Sequence, residues 1–315
     1  MFSIEEKTEA GIGLIMLSDT TTVVKILPRY GALLHEFSVA HHGKQVNVVE
    51  PYGSSEALST GFENGGFKSA KLSPFVCRLK DGRYHFGEKD YEVSKFFLGE
   101  HAIHGLLYDQ PFTIMEKAAT ADEATVLLKH QYRGSDPGYP FHYDCDIRYR
   151  LGKENLLSIE TTLINRDAGI IPVADGWHPY FSFGGSINDL QLEFQSKEML
   201  EFDHDLLPTG KLIPYQEFGS LKQIGDAAMD NCFTVNFAEC QPLVVLRDKA
   251  MGLQLAIRPA KSYPYLQVYT PPHRNSIALE NLSSAPDAFN NGMGLISLAP
   301  GSSTSFSTQY QLSAL

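Results

Sequence analysis

The chain of 315 residues is short of several things, and each shortage narrows its class. It has one tryptophan and four cysteines. Cys77, Cys145, Cys232 and Cys240 form no CxxC pair, and their scatter matches neither a zinc site nor a disulfide framework. Reduced thiols are the expectation. No run approaches the ~18 apolar residues of a membrane span. The first residues, Met1-Phe2-Ser3-Ile4-Glu5-Glu6-Lys7, lack the basic and apolar regions of a secretory signal, so a cytoplasmic location is expected. Positive charge is scarce as well. Lys and Arg total 26 against 37 Asp and Glu, a formal charge of −11 that disfavours nonspecific binding to nucleic acid or anionic membrane. No window of ~12 residues carries a helical period, and no βαβ rhythm, internal repeat or linker is visible.

Aromatic and glycine residues are plentiful, with 19 Phe, 15 Tyr and 26 Gly, a mixture suited to strands and tight turns. Residues 141–151 alternate strictly. Phe141, Tyr143, Cys145, Ile147, Tyr149 and Leu151 share one face, with His142, Asp144, Asp146, Arg148 and Arg150 on the other. After a turn at Gly152-Lys153-Glu154-Asn155, Leu157, Ile159, Thr161 and Leu163 continue the pattern, which predicts a long antiparallel hairpin. Further hairpins are predicted around residues 41–44, 87–90, 117–123 and 248–252, and a closing strand carries Phe306, Thr308, Tyr310 and Leu312 on one face. Length alone suggests about two domains. Unbroken strand signals favour one all-β, antiparallel sandwich domain over residues 1–315.

Four stretches resist the alternation: residues 71–82, 101–106, 175–181 and 279–290. They hold the chemically interesting side chains. His178, held extended by Pro179 among aromatic neighbours, reads either as a core histidine bonded to a carbonyl or as one presenting a ring edge to a cavity. His104 has the same two readings. Spacing of three without a helix puts His101 and His104 on no common face, so no metal pair is expected. Glu280, at what looks like a strand end after Ile277-Ala278-Leu279, is a solvated cap or a pocket base. Arg78, in an apolar run, is paired within the structure or with a ligand.

Taken in order, these segments resemble the aldose 1-epimerase (galactose mutarotase) family. The resemblance rests on Cys77-Arg78-Leu79-Lys80-Asp81-Gly82, Ala102-Ile103-His104-Gly105-Leu106, His178-Pro179-Tyr180-Phe181, Met229-Asp230-Asn231-Cys232-Phe233, and Glu280 with Pro286-Asp287-Ala288-Phe289-Asn290. It departs from the family at Cys77, where many members have Asn, and at Trp177 and Ser182 around the histidine. The resemblance implies a β-supersandwich with few short helices and an enzyme that interconverts the α and β anomers of a hexose. It makes Glu280 the general base and His178 the general acid. His104, Arg78 and Asp230 become sugar contacts. For the chemistry of such a site, aromatics such as Trp177, Tyr180 or Phe233 are candidates to cover the sugar's apolar face. Such chemistry requires no metal or other cofactor. The expected partner is a small-molecule sugar, in a monomer or homodimer. A hexose-6-phosphate 1-epimerase is an alternative, because Lys68, Lys71, Arg78, Lys80 and Arg83 cluster in sequence. A noncatalytic carbohydrate-binding protein is another.

Overall fold

Alternating segments become paired strands in the computed structural model, which describes residues 1–59 and 66–315. The residue 141–151 pattern forms His142–Gly152, paired antiparallel with Leu156–Asn165 in the expected hairpin. Tyr143, Cys145, Ile147, Tyr149 and Leu151 are buried, as the alternation requires. Asp144 is also buried, on the otherwise wet face, where Arg133 and Arg166 reach its two carboxylate oxygens at 2.7 and 2.9 Å. This hairpin belongs to a nine-stranded sheet that also holds the closing strand Ser303–Ala314 and the hairpin Val244–Asp248 with Leu253–Pro259.

An eight-stranded sheet faces it, in the order Pro208–Pro214, Ser196–Phe202, Asp230–Val235, Tyr265–Tyr269, Ile277–Leu282, Gly176–His178 and Ala70–Leu72, with Tyr180–Phe181 also paired to Ile277–Leu282. One apolar core joins the two sheets. Tyr143, Ile147 and Tyr149 from the first meet Trp177, Phe233, Leu266, Val268 and Leu279 from the second. Tyr149 and Trp177 touch edge-on across the gap, with ring centroids 6.1 Å apart. Each such side chain contributes about 1.5–3 kcal/mol by leaving water. The described α-helices, Ser55–Ser59 and Ala288–Asn291, are about one turn each. No described helix is long and apolar enough to cross a membrane.

Three of the segments without alternation are strands after all. His101–Ile103, Gly176–His178 and Ile277–Leu282 are buried at every position. A strand covered on both faces has no wet side to record a period of two. Glu280 accordingly lies inside its strand, two residues before the end, rather than at the terminus expected from sequence.

Candidate active site

The outer face of the eight-stranded sheet forms the floor of a cavity of about 250 Å³. Gly176 pairs with Leu282 and Tyr180 with Ala278, which places His178 opposite Glu280. Glu280 in turn pairs with Gln267, and Gln267 with Cys232. His178, Glu280, Gln267 and Cys232 therefore form one row across four strands, all pointing the same way. The next row on that face runs through Tyr180, Ala278, Tyr269 and Asp230. His178, Glu280, Gln267, Tyr180, Tyr269 and Asp230 all line the cavity.

Loops supply the remaining wall. His104 has a left-handed backbone (φ 64°) and donates its N–H to the Cys77 carbonyl at 2.9 Å. The following residue must be glycine, because a Cβ on Gly105 would lie 2.4 Å from the Ser73 carbonyl oxygen. Arg78 is held by the late motif. Asp287 donates its backbone N–H to the Arg78 carbonyl at 2.8 Å, and its carboxylate accepts from the Lys80 N–H at 2.9 Å. Asn290 then donates its side-chain amide to Asp287 at 2.7 Å and to the Arg83 carbonyl at 2.9 Å. The Pro286-to-Asn290 motif is thus a clamp on the arginine loop.

His178 Nε2 lies 3.4 Å from Glu280 Oε1. The His178 ring stacks on Tyr180 at 5.0 Å and meets His104 edge-on at 4.8 Å. His178 Nδ1, His104 Nδ1, Glu280 Oε2 and Gln267 Oε1 are buried without a hydrogen-bond partner. Buried polar atoms in that state cost stability, so a cluster of them around a cavity marks where a polar ligand would complete the bonding. Gln267 spends its amide on Asp230, donating at 2.7 Å, and keeps its oxygen toward the cavity.

Burial pushes Glu280 well above the usual carboxylate range; the negative charge of Asp230 adds to this and Arg78 opposes it. Burial lowers His178 to about 4 and holds His104 well below the ordinary imidazole value. Asp230 is raised by burial, with Arg78 and the Gln267 hydrogen bond pulling the other way. Burial thus favours the proton on Glu280 and the neutral ring of His178, so the pair leans toward its uncharged form.

Of the residues singled out from sequence, the cavity collects Glu280, His178, His104, Arg78, Asp230 and Tyr180. It does not collect Trp177 or Phe233. Trp177 neighbours His178 in the chain, and Phe233 is three residues from Asp230, so both belong to the opposite parity and enter the core. Phe233 packs there on Phe194 and Tyr215 at 4.8 and 4.7 Å. The basic cluster also disperses. Lys68 pairs with Glu50 at 2.6 Å, Lys71 is buried against Asp175 and Arg83 pairs with Glu92 in solvent. Lys80 is exposed, which leaves Arg78 as the cation of the cavity wall among the described residues. Gln267 escaped sequence reasoning, although Tyr265-Leu266-Gln267-Val268-Tyr269 alternates and places it on the face of the tyrosines.

The chain is an antiparallel β-sandwich whose small polar cavity brings together two carboxyls, two imidazoles and a guanidinium. The family model for aldose 1-epimerases matches residues 13–311, and the chain belongs to that family of isomerases. Its relatives include YihR of Escherichia coli, 27% identical over 241 residues, spanning 73% of this chain and 74% of YihR. A maltose epimerase of Levilactobacillus brevis is 25% identical over 273 residues, 77% of this chain and 75% of the relative. Among solved structures, a galactose mutarotase-like protein from Clostridium acetobutylicum superposes with a TM-score of 0.88, covering 100% of this chain and 99% of its own at 17% identity. The fold is therefore that of the galactose mutarotases.

Proposed function

We propose that this protein interconverts the α and β anomers of an unphosphorylated aldohexose, or of a sugar ending in one, by general acid–base opening and closing of the pyranose ring. The observation that carries this reading is the placement of Glu280 opposite His178, 3.4 Å apart on the cavity floor. The two oxygens that exchange protons in ring opening, the C1 hydroxyl and the ring oxygen, are bonded to the same carbon. An acid and a base that touch each other can each reach one of them.

Glu280 takes the proton of the C1 hydroxyl while His178 gives one to the departing ring oxygen. The C–O ring bond breaks and the C1 carbonyl forms. Rotation about C1–C2 turns the other carbonyl face inward, and closure reverses both transfers. His104, Arg78, Asp230 and Gln267 hold the remaining hydroxyls, and Tyr180 offers its ring to the apolar face of the sugar. The relative named as a maltose epimerase supports a sugar with a free reducing end. The dispersal of the lysines speaks against a phosphate, because one guanidinium shared with Asp230 and Glu280 leaves no clustered positive charge for a dianion.

Polarimetry of fresh α-glucose, α-galactose and maltose with purified protein tests the proposal. Acceleration of the optical change by wild type but not by Glu280→Gln supports it. Tight sugar binding without acceleration would identify a noncatalytic binding protein instead.

A further inference from the structure

Behind the catalytic row, inside the sandwich, lies an ion pair that the reaction does not touch. Lys71 and Asp175 have fully buried side chains, with Nζ 2.5 Å from Asp175 Oδ2. Lys71 also donates to Thr161 of the facing sheet at 3.2 Å and to the Gly176 carbonyl at 3.3 Å, and its ammonium sits 4.4 Å from the Trp177 ring centroid. The Tyr263 hydroxyl donates to the other Asp175 oxygen at 2.6 Å. Removing two charges from water is costly, and apolar residues commonly stabilise such a site as well or better. Core stability is therefore a poor explanation for this pair.

Its location offers a better one. The strand that carries His178 has three residues, and Pro179 follows without an N–H to donate. This segment pairs with the Glu280 strand through Gly176 with Leu282 on one side and through Tyr180 with Ala278 and Phe181 with Ile277 on the other, with the Leu279 N–H donating to the Pro179 carbonyl at 3.3 Å. Within the protein the His178 ring has stacking contacts and the 3.4 Å approach to Glu280, while Nδ1 has no partner. Lys71 grips the chain three and two residues before His178, through the Asp175 carboxylate and the Gly176 carbonyl. Asp175 is in turn locked to the far end of the Glu280 strand. Its N–H donates to Ser283 Oγ at 2.8 Å, and the Ser283 N–H donates to its carbonyl at 2.8 Å. We infer that Lys71 and Asp175 are positioning residues, whose buried ion pair aligns His178 against Glu280 from behind the sheet. The inference rests on the acid–base reading of those two residues.

The test is the double variant Lys71→Met/Asp175→Asn, which removes both charges together and keeps an acceptor for Tyr263. The expected result is a folded protein with unchanged KM, a kcat lower by about 10- to 100-fold, and displaced ¹⁵N resonances of the His178 ring. Wild-type kcat with wild-type His178 resonances overturns the inference, and so does a parallel loss of sugar binding and turnover. Should the double variant not fold, Tyr263→Phe decides. A lower kcat with displaced His178 resonances supports the inference, and wild-type values for both overturn it. If the wild-type protein turns over no sugar, the acid–base reading fails, and the His178 resonances alone still test whether the ion pair sets the ring's position.

Discussion

His178 and Glu280 face each other across an antiparallel pair, Nε2 to Oε1 at 3.4 Å, between the flanking partners Gly176–Leu282 and Tyr180–Ala278. The chain segments that bring them together are about a hundred residues apart in sequence, and both are buried on each face. Burial favours the uncharged form of each group. The proposed chemistry follows from this arrangement.

Removing either partner should stop turnover while sparing recognition. Glu280→Gln and His178→Asn are each expected to lower kcat by about 10²–10⁴-fold. Sugar affinity, measured calorimetrically, should change little. Combining them should cost no more than the worse single change, because the two act as one unit.

The pH profile should carry the signature of the pair. His178 takes up a proton as pH falls through about 4, where the raised Glu280 is protonated as well and no base remains. Glu280 loses the last proton only as pH rises well past the usual carboxylate range. A plot of kcat/KM, corrected for spontaneous mutarotation, should be bell-shaped with its acid limb near 4. An acid limb near 4, rather than near the ordinary imidazole value of about 6.5, is the mark of the buried His178.

Stability should improve where activity is lost. The folded-state value of Glu280 is raised, so the stability linked to its proton is complete below the unfolded carboxylate value and disappears as pH rises through the folded one. Glutamine does not titrate. Glu280→Gln should melt above wild type at about pH 8, and the gap should close as pH falls toward about 4. Thermal scans across that range check the sign.

Parity along the strands separates ligand contacts from core. Gln267→Ala should raise KM by about 3- to 10-fold with little change in melting temperature. Phe233→Ala should cost about 3–5 kcal/mol of stability and leave KM alone. Denaturant titration alongside kinetics distinguishes the two.

Much of the sandwich was legible because its strands have one wet face. His142–Gly152 and Ser303–Ala314 record their burial in every second residue. The strands under the cavity do not, since Ile277–Leu282 is covered by core on one side and the site on the other. Motif resemblance located Glu280, His178, His104, Arg78 and Asp230 where periodicity was silent. Trp177 and Phe233 enter the core instead of the cavity because the faces of a strand alternate, and the same alternation puts Gln267 in the site. The lysine cluster misled for a different reason. Nearness in the chain says nothing about which sheet face or partner each side chain finds, and Lys71 turned inward to Asp175.

The most direct measurement is NMR exchange spectroscopy on glucose, galactose and maltose, following magnetisation passed between the α and β anomeric protons. Wild-type protein should produce exchange cross-peaks with at least one of these sugars, and Glu280→Gln at the same concentration should produce none above the uncatalysed background. Equal exchange with both proteins, or exchange with neither while the sugar binds, would contradict the assignment of Glu280 and His178 as the base and acid of an anomer-interconverting enzyme.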